Sequence, residues 1–169
     1  MRGLFITLAA WSALSAAAYG QKVTIEFDHA VNFAKYRTFV VRNETIKGGD
    51  PAFDNELVEK NLRTDIVRRM TARGLVEVDR PGDLILNFRL ATGKGREVIT
   101  YPAGWRGRRV GRRSVPVSRG TLVIDLRDGA SRELVWRAVV AEEEPNSARL
   151  QERLSKMVEK ACEKYPPKE

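Results

Sequence analysis

The chain has 169 residues, a formal net charge of +8, a single cysteine and a single histidine. This length is typical of one domain with its own hydrophobic core. One cysteine excludes an intramolecular disulfide framework, and one histidine excludes a zinc site built from several imidazoles. The sequence contains neither a phosphate-binding loop nor the nucleophile elbow of the α/β-hydrolases.

The first twenty residues have the pattern of a secretory signal peptide. Arg2 is the only charged residue among them, residues 4–14 are mainly apolar, and Ala18 and Gly20 supply small side chains for a peptidase. The apolar stretch is shorter than the ~20 residues that a membrane-spanning helix needs. We therefore expect cleavage after Gly20, no transmembrane segment afterwards, and a periplasmic or secreted location for residues 21–169.

The first half of the remaining chain predicts two strands and a helix. Residues 23–28 alternate apolar and polar side chains, and residues 38–42 form a second β-rich run. Asp50, which a proline follows, is typical of a helix start, and the helix is expected to run to about Arg73 and end at Gly74. Its buried stripe is expected at Val58, Leu62, Ile66 and Met70.

The second half predicts three more strands and a final helix. Residues 83–90 form a clear alternating strand, and residues 120–127 and 133–141 form a hairpin around an Asp-Gly-Ala-Ser turn. Residues 145–147 offer a cap to the helix, whose apolar stripe is Leu150, Leu154, Met157, Val158, Ala161, Cys162 and Tyr165. The elements predict an α+β two-layer sandwich, with a mainly antiparallel sheet packed by two helices.

Five segments carry a resemblance to a known family. They are residues 32–39 (NFAKYRTF), 83–88 (DLILNF), 120–126 (GTLVIDL), 134–138 (LVWRA) and 165–167 (YPP). In this order they resemble the DUF4136 family, exported bacterial envelope proteins of unknown function, many of them lipoproteins. The resemblance implies a compact α/β domain and no known reaction.

The chain departs from the lipoprotein members of that family at one position. Those proteins carry an acceptor cysteine directly after the signal peptide, whereas Gln21 stands there in this chain. The resemblance therefore implies an unanchored protein, free in the periplasm or secreted.

The inventory of catalytic groups predicts no enzyme, no metal site and no cofactor. His29 follows the first strand and is expected to be a solvated surface imidazole, and Cys162 is expected to be a buried, inert thiol. Asp125 is expected to form a cross-strand ion pair with Arg137. A hydrolase that uses Asp125 and Glu133 is an alternative, which requires both carboxylates to share one pocket.

Other acids have an expected structural role. Asp50 and Asp54 lie near the start of the first predicted helix, and the glutamates at residues 142–144 lie just ahead of the last helix. Negative charge is favoured at helix N-termini because the helix dipole is positive there. We therefore expect these carboxylates to stabilise helix starts.

The positive charge is concentrated in one segment. Eight Lys or Arg residues and a single acid lie between Lys94 and Arg119, so residues 93–119 are predicted to form a basic Gly/Arg-rich loop. The candidate anion-binding residues are Arg106, Arg108, Arg109, Arg112 and Arg113, with Tyr101 and Trp105 as aromatic anchors.

This loop admits three interpretations. It is a solvated connection whose charges prevent association, a site for anionic envelope components, or a nucleic-acid site, and export argues against the third. The leading function is thus a non-enzymatic envelope protein that binds lipid head groups, lipopolysaccharide or wall polymers. The alternative is an assembly module that docks another envelope protein through a sheet face or edge. The composition fits either an extended hairpin or a disordered loop.

Overall fold

The computed structural model describes residues 21–103 and 109–168. In chain order the elements are β1 (Lys22–Phe27), a 3-10 turn (Phe33–Lys35), β2 (Thr38–Gly48), α1 (Glu56–Ala72), β3 (Val76–Glu77), β4 (Leu84–Ala103), β5 (Arg109–Asp128), β6 (Leu134–Glu144) and α2 (Ser147–Cys162). The strands form a six-stranded sheet in the order β1-β6-β5-β4-β2-β3. The α+β class is confirmed, and the expected signal peptide lies outside the described residues.

The sheet is mixed, which corrects the expectation of a mainly antiparallel arrangement in one respect. β1, β6, β5 and β4 are antiparallel neighbours, but β2 runs parallel to both β4 and β3. The chain leaves β2 through α1 and returns to the same end of the sheet before β3 and β4 begin. A helical crossover of this kind joins parallel strands, and sequence alternation cannot reveal it.

Both helices share a single hydrophobic cluster with one face of the sheet. The predicted α1 stripe at Val58, Leu62, Ile66 and Met70 is buried, as is the predicted stripe of α2. The sheet contributes side chains from its alternating positions, among them Leu86, Phe88, Leu122, Ile124 and Trp136. None of the helices that the structure describes is long and apolar enough to cross a membrane.

The start of α1 differs from the prediction. The helix begins at Glu56, where the Asn55 side chain accepts a hydrogen bond from the Val58 amide at 3.0 Å. Residues 50–55 instead form a turn that places Phe53 fully in the core. The helix ends as predicted, since Gly74 follows with a φ of +90°.

The cap of α2 is confirmed. The Asn146 side chain accepts a hydrogen bond from the Arg149 amide at 3.0 Å, and Ser147 is the first helical residue.

The strands β4 and β5 are each 20 residues long, far longer than predicted. They pair continuously from Leu84 and Asp128 to Ala103 and Arg109, so most of the predicted loop at residues 93–119 is an antiparallel ribbon. Of the two forms that the composition allows, the structure has the extended hairpin and not the disordered loop. The length of the strands was not evident from the sequence, because apolar residues such as Val98 and Ile99 are adjacent there and do not alternate with polar ones.

Candidate functional site

The ribbon formed by β4 and β5 extends past its neighbours in the sheet. The ladder between β2 and β4 ends at Thr92, and the ladder between β6 and β5 ends at Ser118. Among the described residues, 93–103 and 109–117 therefore have a strand partner on one side only. We call this ribbon, residues 93–103 and 109–117, the arm.

The arm carries three of the five arginines that are predicted to bind anions. Arg109, Arg112 and Arg113 are exposed on β5, and none of them forms an ion pair within the part of the chain that the structure describes. Three further candidate anion-binding residues, Arg106, Arg108 and Trp105, lie outside the described residues. The structure thus presents three exposed guanidinium groups on one strand without an acidic partner among the described residues.

Positive charge is present on both faces of the arm. Side chains alternate between the faces of a strand, so Arg109 and Arg113 share a face, and Arg112 lies on the opposite one. Arg96 shares the face of Arg112, and its Nε donates a hydrogen bond to Ser114 Oγ at 3.0 Å. A ligand can therefore meet arginine from either side of the ribbon.

The predicted aromatic anchor lies between two of these arginines. Tyr101 pairs with Gly111, which separates Arg109 from Arg113 along β5, and Tyr101 is 46% exposed. A Cβ on Gly111 would lie 2.6 Å from Tyr101 Cζ, so the ring lies over the glycine backbone. The aromatic ring and the two guanidinium groups accordingly occupy one face of the arm.

Arg119 at the base of the arm has a structural contact instead. Its Nε donates to Glu143 on β6 at 2.5 Å. Its guanidinium also crosses Gly95, where a Cβ would lie 2.7 Å from Arg119 Nη1. This arginine therefore ties the base of the arm to β6.

A buried polar cluster joins the base of the arm to the start of α2. Asp50 is 4% exposed and accepts a hydrogen bond from Ser147 Oγ, which lies 3.3 Å from Ser118 Oγ on β5. The bond from Ser147 is the main reason that the pKa of Asp50 lies below its usual range, and the Ala52 amide and Lys94 add to it. Asp50 thus lies at the N-terminus of α2, not of α1 as expected.

The glutamates ahead of α2 also differ from the prediction. They belong to β6, where Glu142 and Glu144 are buried beneath α2. Glu144 accepts a hydrogen bond from Arg153 Nε at 2.8 Å. Burial, together with the charge of Glu144, raises the pKa of Glu142. Glu144 therefore contacts the side of α2 and not its N-terminus, because the strand continues to Glu144.

The predicted cross-strand pair of Asp125 is confirmed. The Asp125 carboxylate accepts two hydrogen bonds from Arg137, at 2.7 and 3.0 Å, and lies 3.5 Å from Arg89. Glu133 is exposed at the turn before β6, where its carbonyl accepts the Asp128 amide. The structure therefore places Asp125 in an ion-pair network and Glu133 at a separate turn.

The single histidine and the single cysteine occupy the environments that the sequence predicted. His29 is exposed, and its ring contacts that of Phe27 with 4.3 Å between the centroids and 49° between the ring planes. Cys162 is buried, which raises the pKa of its thiol to about 12. Among the described residues, no group of three or more His, Cys, Asp or Glu side chains is arranged to hold a metal ion.

Sequence reasoning missed two kinds of residue. Ser118 and Ser147 join Asp50 only in the folded chain, and no local pattern relates residues so far apart. Val98 and Val110 are exposed on the arm, and the signal for them was available, since aliphatic side chains stand out in a charged, glycine-rich segment. The two serines lie at the base of the arm, and the two valines lie on the arm itself.

The family model for the domain of unknown function DUF4136 matches residues 23–167. The chain belongs to the DUF4136 family. The match includes both helices and all six strands except Lys22, the first residue of β1. No curated protein sequence matches the chain.

Solved structures share the fold at low sequence identity. A PDZ domain protein from Parabacteroides distasonis has a TM-score of 0.60 and 18% identity over 88% of this chain, which spans only 36% of that protein. A putative neuraminyllactose-binding hemagglutinin homolog from Helicobacter pylori has a TM-score of 0.53 and 10% identity, over 79% of this chain and 84% of that one. Such similarity shows a shared fold alone.

Proposed function

We propose that this DUF4136 protein is an exported, non-enzymatic component of the bacterial cell envelope that binds anionic groups through its arm. The observation that carries the proposal is the set of exposed guanidinium groups of Arg109, Arg112 and Arg113, which have no ion-pair partner among the described residues. Guanidinium groups form bidentate hydrogen bonds with phosphate and carboxylate. Because these groups are weakly hydrated, the free-energy cost of removing their water on binding is small.

Arginines elsewhere in the fold contrast with those of the arm. Several are bound to acids of neighbouring elements and hold the fold together; these are Arg63 with Glu44 and Glu77, Arg69 with Glu159, Arg137 with Asp125, and Arg153 with Glu144. The arm has only one acid of its own, Glu97, within residues 93–119. The charge of the arm is therefore available for an external partner.

The N-terminal pattern of the sequence supports an envelope location. This location limits the classes of anion that the arm can meet. An exported protein meets lipid head groups, the phosphates of lipopolysaccharide and the acidic polymers of the wall. These anions share exposed phosphate or carboxylate groups at high density, which a ribbon with arginine on both faces can engage. Export likewise directs the proposal away from nucleic acid.

The test is binding to inorganic polyphosphate as the salt concentration is raised. Neutralisation of about three phosphates predicts that affinity falls roughly tenfold or more from low to physiological salt. The triple variant Arg109→Gln, Arg112→Gln, Arg113→Gln is expected to lose this salt-dependent binding.

A matched control removes the same amount of charge elsewhere. Arg68, Arg80 and Arg149 are exposed and lie outside the arm, so their triple replacement by Gln is expected to leave binding almost unchanged. Equal loss in both triple variants would assign the effect to net charge and would overturn the proposal. Binding that persists in the arm variant would overturn it as well.

A second candidate function rests on the edge of the sheet. β1 pairs with β6 on one side, and no described strand pairs with its other side. Such an edge can accept a strand from another envelope protein. A partner that binds in this way would be retained by the arm variant and lost when a proline replaces Val23. The Val23 N–H faces away from β6, because the Asp28 amide donates to β6 and the alternation of the ladder turns the Thr24 and Glu26 amides the same way.

A further inference from the structure

The arm exposes apolar side chains as well as charge. Five large hydrophobic residues are exposed among the described residues, and three of them lie on the arm: Val98 at 63%, Tyr101 at 46% and Val110 at 74%. The other two, Leu57 and Val76, lie on α1 and β3. Exposed aliphatic side chains that cluster beside basic ones are typical of a binding surface, whereas scattered ones carry no such meaning.

The apolar and basic side chains alternate along the same ribbon. Val98 and Val110 share one face of the arm with Arg96 and Arg112. The opposite face carries Tyr101 with Arg109 and Arg113, as described above. Each face of the arm therefore combines apolar surface with positive charge.

A polyanion in solution would contact the basic side chains of the arm but would leave its apolar side chains in water. Phosphate groups in water contact the guanidinium groups, but they gain nothing from a neighbouring valine. A lipid bilayer offers both kinds of contact, because phosphates lie directly above the acyl chains. Apolar surface that leaves water contributes about 25 cal/mol per Å², and arginine stems allow the charged groups to stay at the phosphate level.

The geometry points to insertion of the arm into the head-group layer of an anionic lipid bilayer. We propose that Val98 and Val110, which share one face of the arm, enter the boundary between head groups and acyl chains, while Arg96 and Arg112 on the same face bind lipid phosphates. This inference rests on the proposed anion-binding function and names the anionic surface as a lipid bilayer.

The depth of insertion is limited by the backbone of the arm. Residues 93–103 and 109–117 each pair on one side only, so their outward N–H and C=O groups need water as a partner. Unpaired backbone groups are not tolerated in the hydrocarbon core. The arm therefore binds at the hydrated interface and does not span the membrane.

The test separates apolar insertion from charge. Co-sedimentation is measured with phosphatidylcholine vesicles that contain or lack phosphatidylglycerol, and polyphosphate binding is measured in parallel. The double variant Val98→Ser, Val110→Ser keeps every charge of the arm. It is expected to bind phosphatidylglycerol vesicles about tenfold more weakly than the original protein and to bind polyphosphate equally well.

The remaining exposed hydrophobic residues supply the control. The double variant Leu57→Ser, Val76→Ser removes similar exposed apolar surface away from the arm, and its vesicle binding is expected to be unchanged. Retained polyphosphate binding also shows that the arm of the valine variant is intact.

Each adverse outcome has a distinct meaning. Vesicle binding that the valine variant retains in full would overturn membrane insertion and leave the anion-binding function standing. Equal vesicle binding with and without phosphatidylglycerol would also overturn it, since the arginines would then have no role. Polyphosphate binding that survives replacement of Arg109, Arg112 and Arg113 would instead overturn the proposed function itself.

Discussion

The ring of Tyr101 lies over the backbone of Gly111, its partner across the arm. A Cβ at position 111 would lie 2.6 Å from Tyr101 Cζ, so the absence of a side chain there provides the space that the ring occupies. An aromatic ring that covers a cross-strand glycine protects the backbone of an exposed ribbon and holds the ring in one place. This contact keeps Tyr101 between Arg109 and Arg113.

The first prediction concerns that contact. The Tyr101 ring current should shift the α-protons of Gly111 upfield in a proton NMR spectrum, and Tyr101→Leu should abolish the shift. Because the arm is exposed, this variant should change the free energy of unfolding by less than about 0.5 kcal/mol. The unusual shift should persist in Val98→Ser. Its persistence in Tyr101→Leu would refute the contact.

The second prediction concerns the ion pair of Asp125 with Arg137. The Asp125 side chain is only 8% exposed, and its replacement by Asn leaves Arg137 without its charged partner. Hydrogen bonds to charged groups stabilise folds more than neutral ones, so Asp125→Asn should lower the free energy of unfolding by about 1–3 kcal/mol in urea titration. Exposed Asp54→Asn is the control and should have almost no effect. Equal stability of both variants would contradict a structural role for the pair.

The third prediction concerns Asp128 and acid stability. The backbone amide of Ser131 and the hydroxyl of Tyr36 donate to its carboxylate, which lowers the pKa of Asp128 from 3.8 to about 2. A pKa that is lower in the folded state contributes stability above pH 3.8, and this contribution is lost as the pH falls towards 2.

Replacement of Asp128 should therefore flatten the acid limb of the stability curve. The urea midpoint of Asp128→Asn should fall less steeply with decreasing pH than that of the original protein, and Tyr36→Phe should give an intermediate slope. Parallel curves for all three proteins would show that the Asp128 carboxylate has the same pKa in the folded and unfolded states.

The fourth prediction concerns Phe53, which the sequence assigned to a helix and the structure places in a turn. Its side chain is fully buried, so Phe53→Ala should lower the free energy of unfolding by about 3–5 kcal/mol. Leu57, four residues later, is 70% exposed, and Leu57→Ala should change the free energy of unfolding by less than about 0.5 kcal/mol. Thermal or urea unfolding measures both. A similar effect of the two replacements would contradict the buried position of Phe53.

The parts of the fold that could be predicted are those in which one face is buried. The α1 stripe from Val58 to Met70 and the strand at residues 84–90 show the period of their element because every inward position contacts the core. The arm extends beyond the core and its first residues are glycine and charged side chains, so the β-rich run at residues 98–101 was not recognised as part of a long strand, and a loop was predicted. The concentration of arginine in this segment is visible without structure, but the division of Arg109, Arg112 and Arg113 between two faces is not.

Local features of this protein are evident from its amino-acid sequence: the helix stripes, the cap at Asn146, the β5–β6 hairpin and the concentration of charge between Lys94 and Arg119. Each of these depends on residues that are close together in the chain. The parallel pairing of β2 with β4 and the hydrogen bond between Asp50 and Ser147 at the base of the arm are evident only in the folded chain. These contacts join distant residues, because the packing of α1 and α2 on the sheet determines which chain segments become neighbours.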